Sequence, residues 1–96
     1  MAYARHVTLT ANAVTTFTLT DNSSAFEVLN RNGLAEIYVG YDGTAVPADP
    51  TVGGNDLDVV PAAVGAAIRV RRPGTAAIVV KVISAAATAV SFRSIA

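Results

Sequence analysis

Short segments in which apolar and polar residues alternate recur along the chain, separated by Gly, Pro, Asn and Asp. In Val14–Thr20, Phe17 and Leu19 occupy one face and threonines the other, which is typical of a strand with one buried face. We predict strands at about His6–Thr10, Val14–Thr20, Phe26–Asn30, Ala35–Tyr41, Leu57–Val60, Ile68–Arg72, Ala76–Ser84 and Val90–Ile95.

About eight short strands at close spacing predict an all-β fold, an antiparallel β-sandwich of the jelly-roll or immunoglobulin-like type. The 96 residues are expected to form one domain, 1–96. The core is predicted from the inward positions of the strands. These are Phe17, Leu19, Phe26, Val28, Ile37, Val39, Ile68, Val70, Ile78, Val80, Val82, Val90 and Phe92.

Turn residues mark the connections between these strands. Asn32-Gly33 predicts a tight turn, because both residues tolerate positive φ. Pro73-Gly74 is the expected central pair of a type II turn. The stretch 42–56 has no periodicity and is predicted to be a long loop, a feature that usually carries a role in a compact domain.

The charge balance bears on the class of partner. Seven basic residues face seven acidic ones, so the formal net charge is zero. A nucleic-acid binder needs a basic footprint, and so does electrostatic membrane attachment; we therefore expect neither nucleic acid nor membrane as a partner. The N-terminus lacks the apolar core of a secretory signal, so the chain is expected to stay in the cytoplasm or to assemble there.

The sequence is poor in residues that carry out catalysis. His6 is the single histidine, there is no Cys, and no Ser lies in a G-x-S-x-G elbow. A catalytic site needs converging groups, so we expect neither an enzyme nor a cofactor. Carboxylates along the long loop are possible Ca²⁺ ligands, but their spacing is not that of an EF-hand, and we interpret them as solvated. These are Asp42, Asp49, Asp56 and Asp58.

Candidate partner-binding residues come from the long loop and from outward strand positions. Arg69 and Arg71 share an outward face. Either they form bidentate hydrogen bonds with carboxylates of a partner, or Glu27 or Glu36 neutralises them across the sheet. We favour the second interpretation. The predicted partner-binding residues are Thr44, Val46, Pro47, Pro50, Val52, Tyr38, Arg69 and Arg71.

The middle and C-terminal part of the chain presents its strands and turns in a defined order. It runs Ala35-Glu36-Ile37-Tyr38-Val39-Gly40, Asp42-Gly43-Thr44, Pro50-Thr51-Val52-Gly53-Gly54-Asn55-Asp56, Val59-Val60-Pro61-Ala62, Arg69-Val70 and Val79-Val80-Lys81-Val82-Ile83-Ser84. This order resembles small β-sandwich proteins of tailed bacteriophages, including head decoration (cement) proteins and minor virion proteins. The resemblance covers roughly Ala11 to Ile95. It implies no catalytic residues and a homo-oligomer, often a trimer, seated on a capsid lattice.

Two functions are consistent with these features. The first is a non-enzymatic virion protein, a capsid decoration protein that binds and stabilises the assembled head, with the major capsid protein or another virion protein as partner. It would be located in the virion after assembly in the bacterial cytoplasm. The low-charge segment Ala62–Ala67 favours such an apolar contact. The alternative is a receptor- or carbohydrate-binding module of a phage tail or fibre, which would favour exposed aromatics, and the chain has no Trp.

Overall fold

The computed structural model describes residues 4–19, 24–41, 47–54, 58–71 and 78–95, and eight β-strands lie within these ranges. Every predicted strand is found, with its ends within two residues of the predicted ones. The strands are β1 (Ala4–Thr8), β2 (Thr15–Leu19), β3 (Ala25–Asn30), β4 (Ile37–Gly40), β5 (Asp58–Val60), β6 (Ala67–Arg71), β7 (Ile78–Ser84) and β8 (Ala89–Ile95).

The strands form two four-stranded sheets, in the orders β1-β8-β3-β6 and β2-β7-β4-β5. The first strand pairs with the last, the second with the seventh, the third with the sixth and the fourth with the fifth, all antiparallel. The chain is therefore one long hairpin whose two arms roll up together into a sandwich. This is the order of an eight-stranded jelly roll and differs from that of an immunoglobulin sandwich.

Within the described ranges, no helix has the length and hydropathy needed to cross a membrane.

The core lies between the two sheets and is built from the inward positions of the strands. Ten of the predicted core residues are buried: Phe17, Leu19, Phe26, Val28, Ile37, Val39, Val80, Val82, Val90 and Phe92. Ile68 and Val70 were predicted to be core residues but are only partly buried, because β6 is an edge strand. The side chain of Ile78 lies outside the described residues. Leu9 and Val60, which the alternation did not single out, complete the core.

Three phenylalanine rings join the two sheets at the centre. Phe17 of β2 stacks on Phe92 of β8 with ring centroids 4.6 Å apart and an interplanar angle of 2°. Phe26 of β3 lies 5.4 Å from Phe92, and Tyr41 meets Phe26 edge-on at 4.9 Å. Aromatic pairs at these separations stabilise a core beyond the area that they bury.

The chain bends at Asn32-Gly33, but the predicted tight turn does not form: the connection covers residues 31–36 and joins β3 to β4, which lie in different sheets, so it is a corner between sheets. Gly33 adopts a positive φ of 67°, whereas Asn32 does not. Among the described non-glycine residues, Asn12 is the one with positive φ, at 60°, in the corner between β1 and β2. The predicted Pro73-Gly74 turn lies outside the described residues.

We expect Phe92→Ala to lower the free energy of unfolding by about 3–5 kcal/mol, because the ring is fully buried against two other rings. Urea unfolding followed by circular dichroism measures this loss. The matched variant Phe92→Leu keeps most of the apolar volume and should lose less than half as much. Near-wild-type stability of Phe92→Ala would contradict the central position of the ring.

Candidate functional site

The described part of the long loop, 47–54, lies back on the β2-β7-β4-β5 sheet. Gly40 of β4 permits this approach: a Cβ built there would lie 3.2 Å from Pro50 Cδ and 3.3 Å from the Ala48 carbonyl oxygen. A side chain at position 40 would require the loop to shift by a few tenths of an ångström. This stretch is therefore a packed cover on the outer side of the sheet.

A polar contact fixes the same stretch: Lys81 Nζ donates a hydrogen bond to Asp49 Oδ1 at 2.7 Å. On the same side of the sheet, the Tyr38 hydroxyl donates a hydrogen bond to Glu36 Oε1 at 3.1 Å. Because only the protonated phenol can donate to the carboxylate, this bond raises the pKa of Tyr38 above its ordinary value.

These contacts separate the predicted loop residues into three groups. Pro47 and Pro50 are buried within the chain's own fold, whereas we expected both rings to face a partner. Val52 remains 40% exposed, and its partner-binding role stays a prediction. Thr44 and Val46 lie outside the described residues.

Tyr38 and the two arginines of β6 do not lie on one surface. Tyr38 is on the outer side of the β2-β7-β4-β5 sheet, and Arg69 and Arg71 are exposed on the outer side of the other sheet. Glu27 balances Arg69 across the sheet, as the favoured interpretation expected, whereas Glu36 contacts Tyr38 instead. The predicted set is therefore spread over opposite faces and does not form one site.

In the part of the chain that the structure describes, no group of three His, Cys, Asp or Glu side chains is placed to hold a metal ion.

A second candidate surface lies at the opposite end of the strands from the long loop. The connections β1–β2, β3–β4, β5–β6 and β7–β8 meet there, because odd-numbered strands all run toward this end in an antiparallel roll. We call this surface the four-loop end. It consists of residues 9–14, 31–36, 61–66 and 85–88.

Asn30, at the last position of β3, joins two of these loops from below. Its side chain is fully buried. Its Nδ2 donates to the carbonyl oxygens of Ala35 and Pro61, both at 3.0 Å, and its Oδ1 accepts from the Gly33 N–H at 2.8 Å. Its backbone N–H and C=O also bond to the 61–66 loop, each at 2.8 Å. One buried residue thereby fixes both the 31–36 and the 61–66 loops.

Ser84, at the last position of β7, is also fully buried and connects the 9–14 and 85–88 loops to the 31–36 loop. Its Oγ donates to the Glu36 carbonyl at 2.9 Å and lies 2.8 Å from Thr88 Oγ1. Its carbonyl accepts from the Asn12 N–H at 2.8 Å, and the Leu9 N–H donates to the Thr88 carbonyl at 2.9 Å. All four loops are therefore linked through the side chains and backbone groups of two buried polar residues, Asn30 and Ser84.

The solvent side of the four-loop end is mostly apolar. Val64 is 75% exposed and Leu34 is 61% exposed. Their loops touch, since a Cβ built on Gly33 would lie 2.8 Å from the Val64 backbone nitrogen. Exposed alanines extend the patch, and the loops carry only two charged residues, Arg31 and Glu36. The exposed alanines are Ala11, Ala62, Ala63, Ala85 and Ala87.

No family model matches the chain, and no curated protein matches it. Two solved structures resemble it, each with 12% sequence identity and a TM-score of 0.47. One is the solution NMR structure of a de novo designed double-stranded β-helix, with 97% of this chain and 94% of that chain covered. The other is the crystal structure of the Penaeus vannamei nodavirus P-domain, with 100% and 96% covered. Likenesses of this size do not assign a function.

We expect Gly33→Ala to destabilise the protein more than Gly65→Ala does. Both glycines have positive φ, 67° and 83°, so both substitutions strain the backbone by about 1 kcal/mol or more. Only the Cβ at position 33 would also meet backbone, at 2.8 Å from the Val64 nitrogen, whereas position 65 is open. Thermal unfolding of the two variants measures the difference. Equal losses would contradict the close contact between the two loops.

Proposed function

We propose that this chain is a non-enzymatic structural protein of a virus particle, a decoration protein that binds the assembled head of a tailed bacteriophage. The observation that carries the proposal is the four-loop end, where Val64 and Leu34 are exposed on a rigid, nearly uncharged surface. Contiguous exposed apolar surface on a small domain marks an interaction site. The proposed partner is the major capsid protein or another virion protein.

The rigidity of this end favours binding. The buried bonds of Asn30 and Ser84 order the loops before any partner arrives, so little loop entropy is lost in the complex. Full burial of Val64 and Leu34 contributes about 1.5–3 kcal/mol each, which is modest for one copy. A homo-oligomer on a symmetric lattice multiplies such a contact through its effective concentration.

The chemistry of the surface also sets the expected response to salt. An apolar contact with two charges in its loops depends weakly on ionic strength, unlike a contact led by ion pairs. The jelly-roll order is compatible with this role, since capsid, lectin and cupin domains share it, but a fold alone does not decide function. The proposal therefore rests on the exposed end.

A sugar-binding module is less well supported by the described surface. Stacking on sugars uses exposed aromatic rings, but Phe17, Phe26 and Phe92 are fully buried and Tyr41 packs against the core. Within the described ranges, Tyr38 is the remaining aromatic residue, and its hydroxyl is bonded to Glu36.

We expect Val64→Asp to weaken binding to purified heads of the encoding virus at least tenfold. A carboxylate in the apolar contact would lose its hydration without gaining a partner, and a tenfold loss corresponds to about 1.4 kcal/mol. Bound chain is measured by pelleting heads with increasing concentrations of protein. The matched variant is Val52→Asp, the same change at the exposed valine that the sequence predicted to bind a partner; if the four-loop end makes the contact, this variant should bind as the wild type does.

The two valine variants separate the competing surfaces. Loss of binding in Val52→Asp with retention in Val64→Asp would place the contact on the long loop. A wild-type chain that does not pellet with heads but binds glycans on an array would overturn the proposed function. Circular dichroism of each variant confirms that folding is unchanged.

A further inference from the structure

The outer face of the β1-β8-β3-β6 sheet carries a row of alternating charges. Glu27 of β3 lies directly between Arg69 of β6 and Arg93 of β8 in the sheet register. Arg93 Nε donates to Glu27 Oε1 at 2.8 Å, and an Arg69 terminal nitrogen lies 3.5 Å from Oε2. One carboxylate is thus shared by two guanidinium groups.

Among the described residues of this face, positive charge exceeds negative charge. The Glu27 side chain is only 14% exposed, while those of Arg69 and Arg93 are 62% and 55% exposed. Arg71 is the next outward residue of β6, is exposed, and makes no ion pair with any residue that the structure describes. Among the residues that the structure describes on this face, three guanidinium groups against one carboxylate leave an excess of two positive charges, on a chain whose net charge is zero.

We propose that this arginine face, formed by Arg69, Arg71 and Arg93 around Glu27, docks an acidic segment of a partner protein. Arg69 and Arg71 are two residues apart on one strand, and so about 7 Å apart. Carboxylates at alternate positions of an extended segment have the same spacing. A guanidinium group can donate two parallel hydrogen bonds to one carboxylate, and this bidentate geometry would orient the partner segment.

The sign pattern favours a protein over a nucleic acid. The row reads positive, negative, positive across β6, β3 and β8, because Glu27 separates Arg69 from Arg93. Nucleic-acid backbones present only negative charge, and Glu27 repels such a uniform row. A protein segment can avoid placing a carboxylate opposite Glu27. The surface is also separate from the four-loop end, so it does not depend on the function proposed above.

The test uses the ¹⁵N-labelled full chain and a peptide of four Glu-Thr repeats at low ionic strength, where exposed ion pairs are least screened. Peptide binding should shift the Nε–H resonances of Arg69, Arg71 and Arg93. Arg71→Gln should weaken the affinity about two- to fivefold, the effect of one exposed ion pair. The matched control is Arg31→Gln, which removes the same charge at the four-loop end and should leave the affinity unchanged.

Glu27→Gln gives the sharpest result, because it should tighten peptide binding about two- to fivefold by freeing both guanidinium groups. A purely structural Glu27 would instead lower the melting temperature and leave the affinity unchanged, which would overturn the proposal. Equal losses in Arg71→Gln and Arg31→Gln would show an effect of net charge alone and would also overturn it. So would tighter binding of an eight-residue thymidine oligonucleotide than of the peptide.

Discussion

The buried amide of Asn30 is the interaction on which the four-loop end depends. It is fully enclosed, yet both donors of its side chain and its acceptor find backbone partners in two different loops. Removing the partners of a buried amide costs about 1–3 kcal/mol per group left unpaired, so the loops and the amide hold each other in place. Ser84 repeats this arrangement at the end of β7. The exposed Val64 and Leu34 are presented by loops that have little freedom to rearrange.

The two ends of the sandwich, which the rolled hairpin separates, differ in their surface chemistry. At the four-loop end, the buried polar side chains of Asn30 and Ser84 lie beneath the loops, and apolar residues lie on the solvent side. Toward the other end, the 47–54 stretch folds back on the sheet, held through Asp49 and packed against Gly40. The arginine face forms a third surface, because outward positions of β3, β6 and β8 are brought into one row by the register. One small core thus supports three surfaces of distinct chemistry.

Period-two alternation was sufficient to predict all eight strands and most of the core. It could not choose between a jelly roll and an immunoglobulin-like sandwich, because that choice depends on contacts such as His6 with Ser91, which are 85 residues apart. It also could not show that Pro47 and Pro50 are buried, since an aperiodic stretch carries no signal for the sheet that it covers. Leu9 was missed because no inward positions were assigned to the predicted strand His6–Thr10, in which it lies.

The two buried polar residues of the four-loop end can be recognised in the alternating pattern of the sequence. Asn30 follows Phe26 and Val28, and Ser84 follows Val80 and Val82, so each is a polar residue at an inward position where a strand ends. A polar side chain placed toward a core requires hydrogen-bond partners, and the adjoining loops are the nearest source. That these two residues act at the same end follows only from the pairing of the strands.

Hydrogen–deuterium exchange of the chain bound to heads, compared with the free chain, tests the role of the four-loop end most directly. We expect slower exchange of the backbone amides in 31–36 and 61–66 on binding, with no change in 47–54. Slower exchange in 47–54, with 31–36 and 61–66 unchanged, would contradict the assignment of the four-loop end as the contact surface.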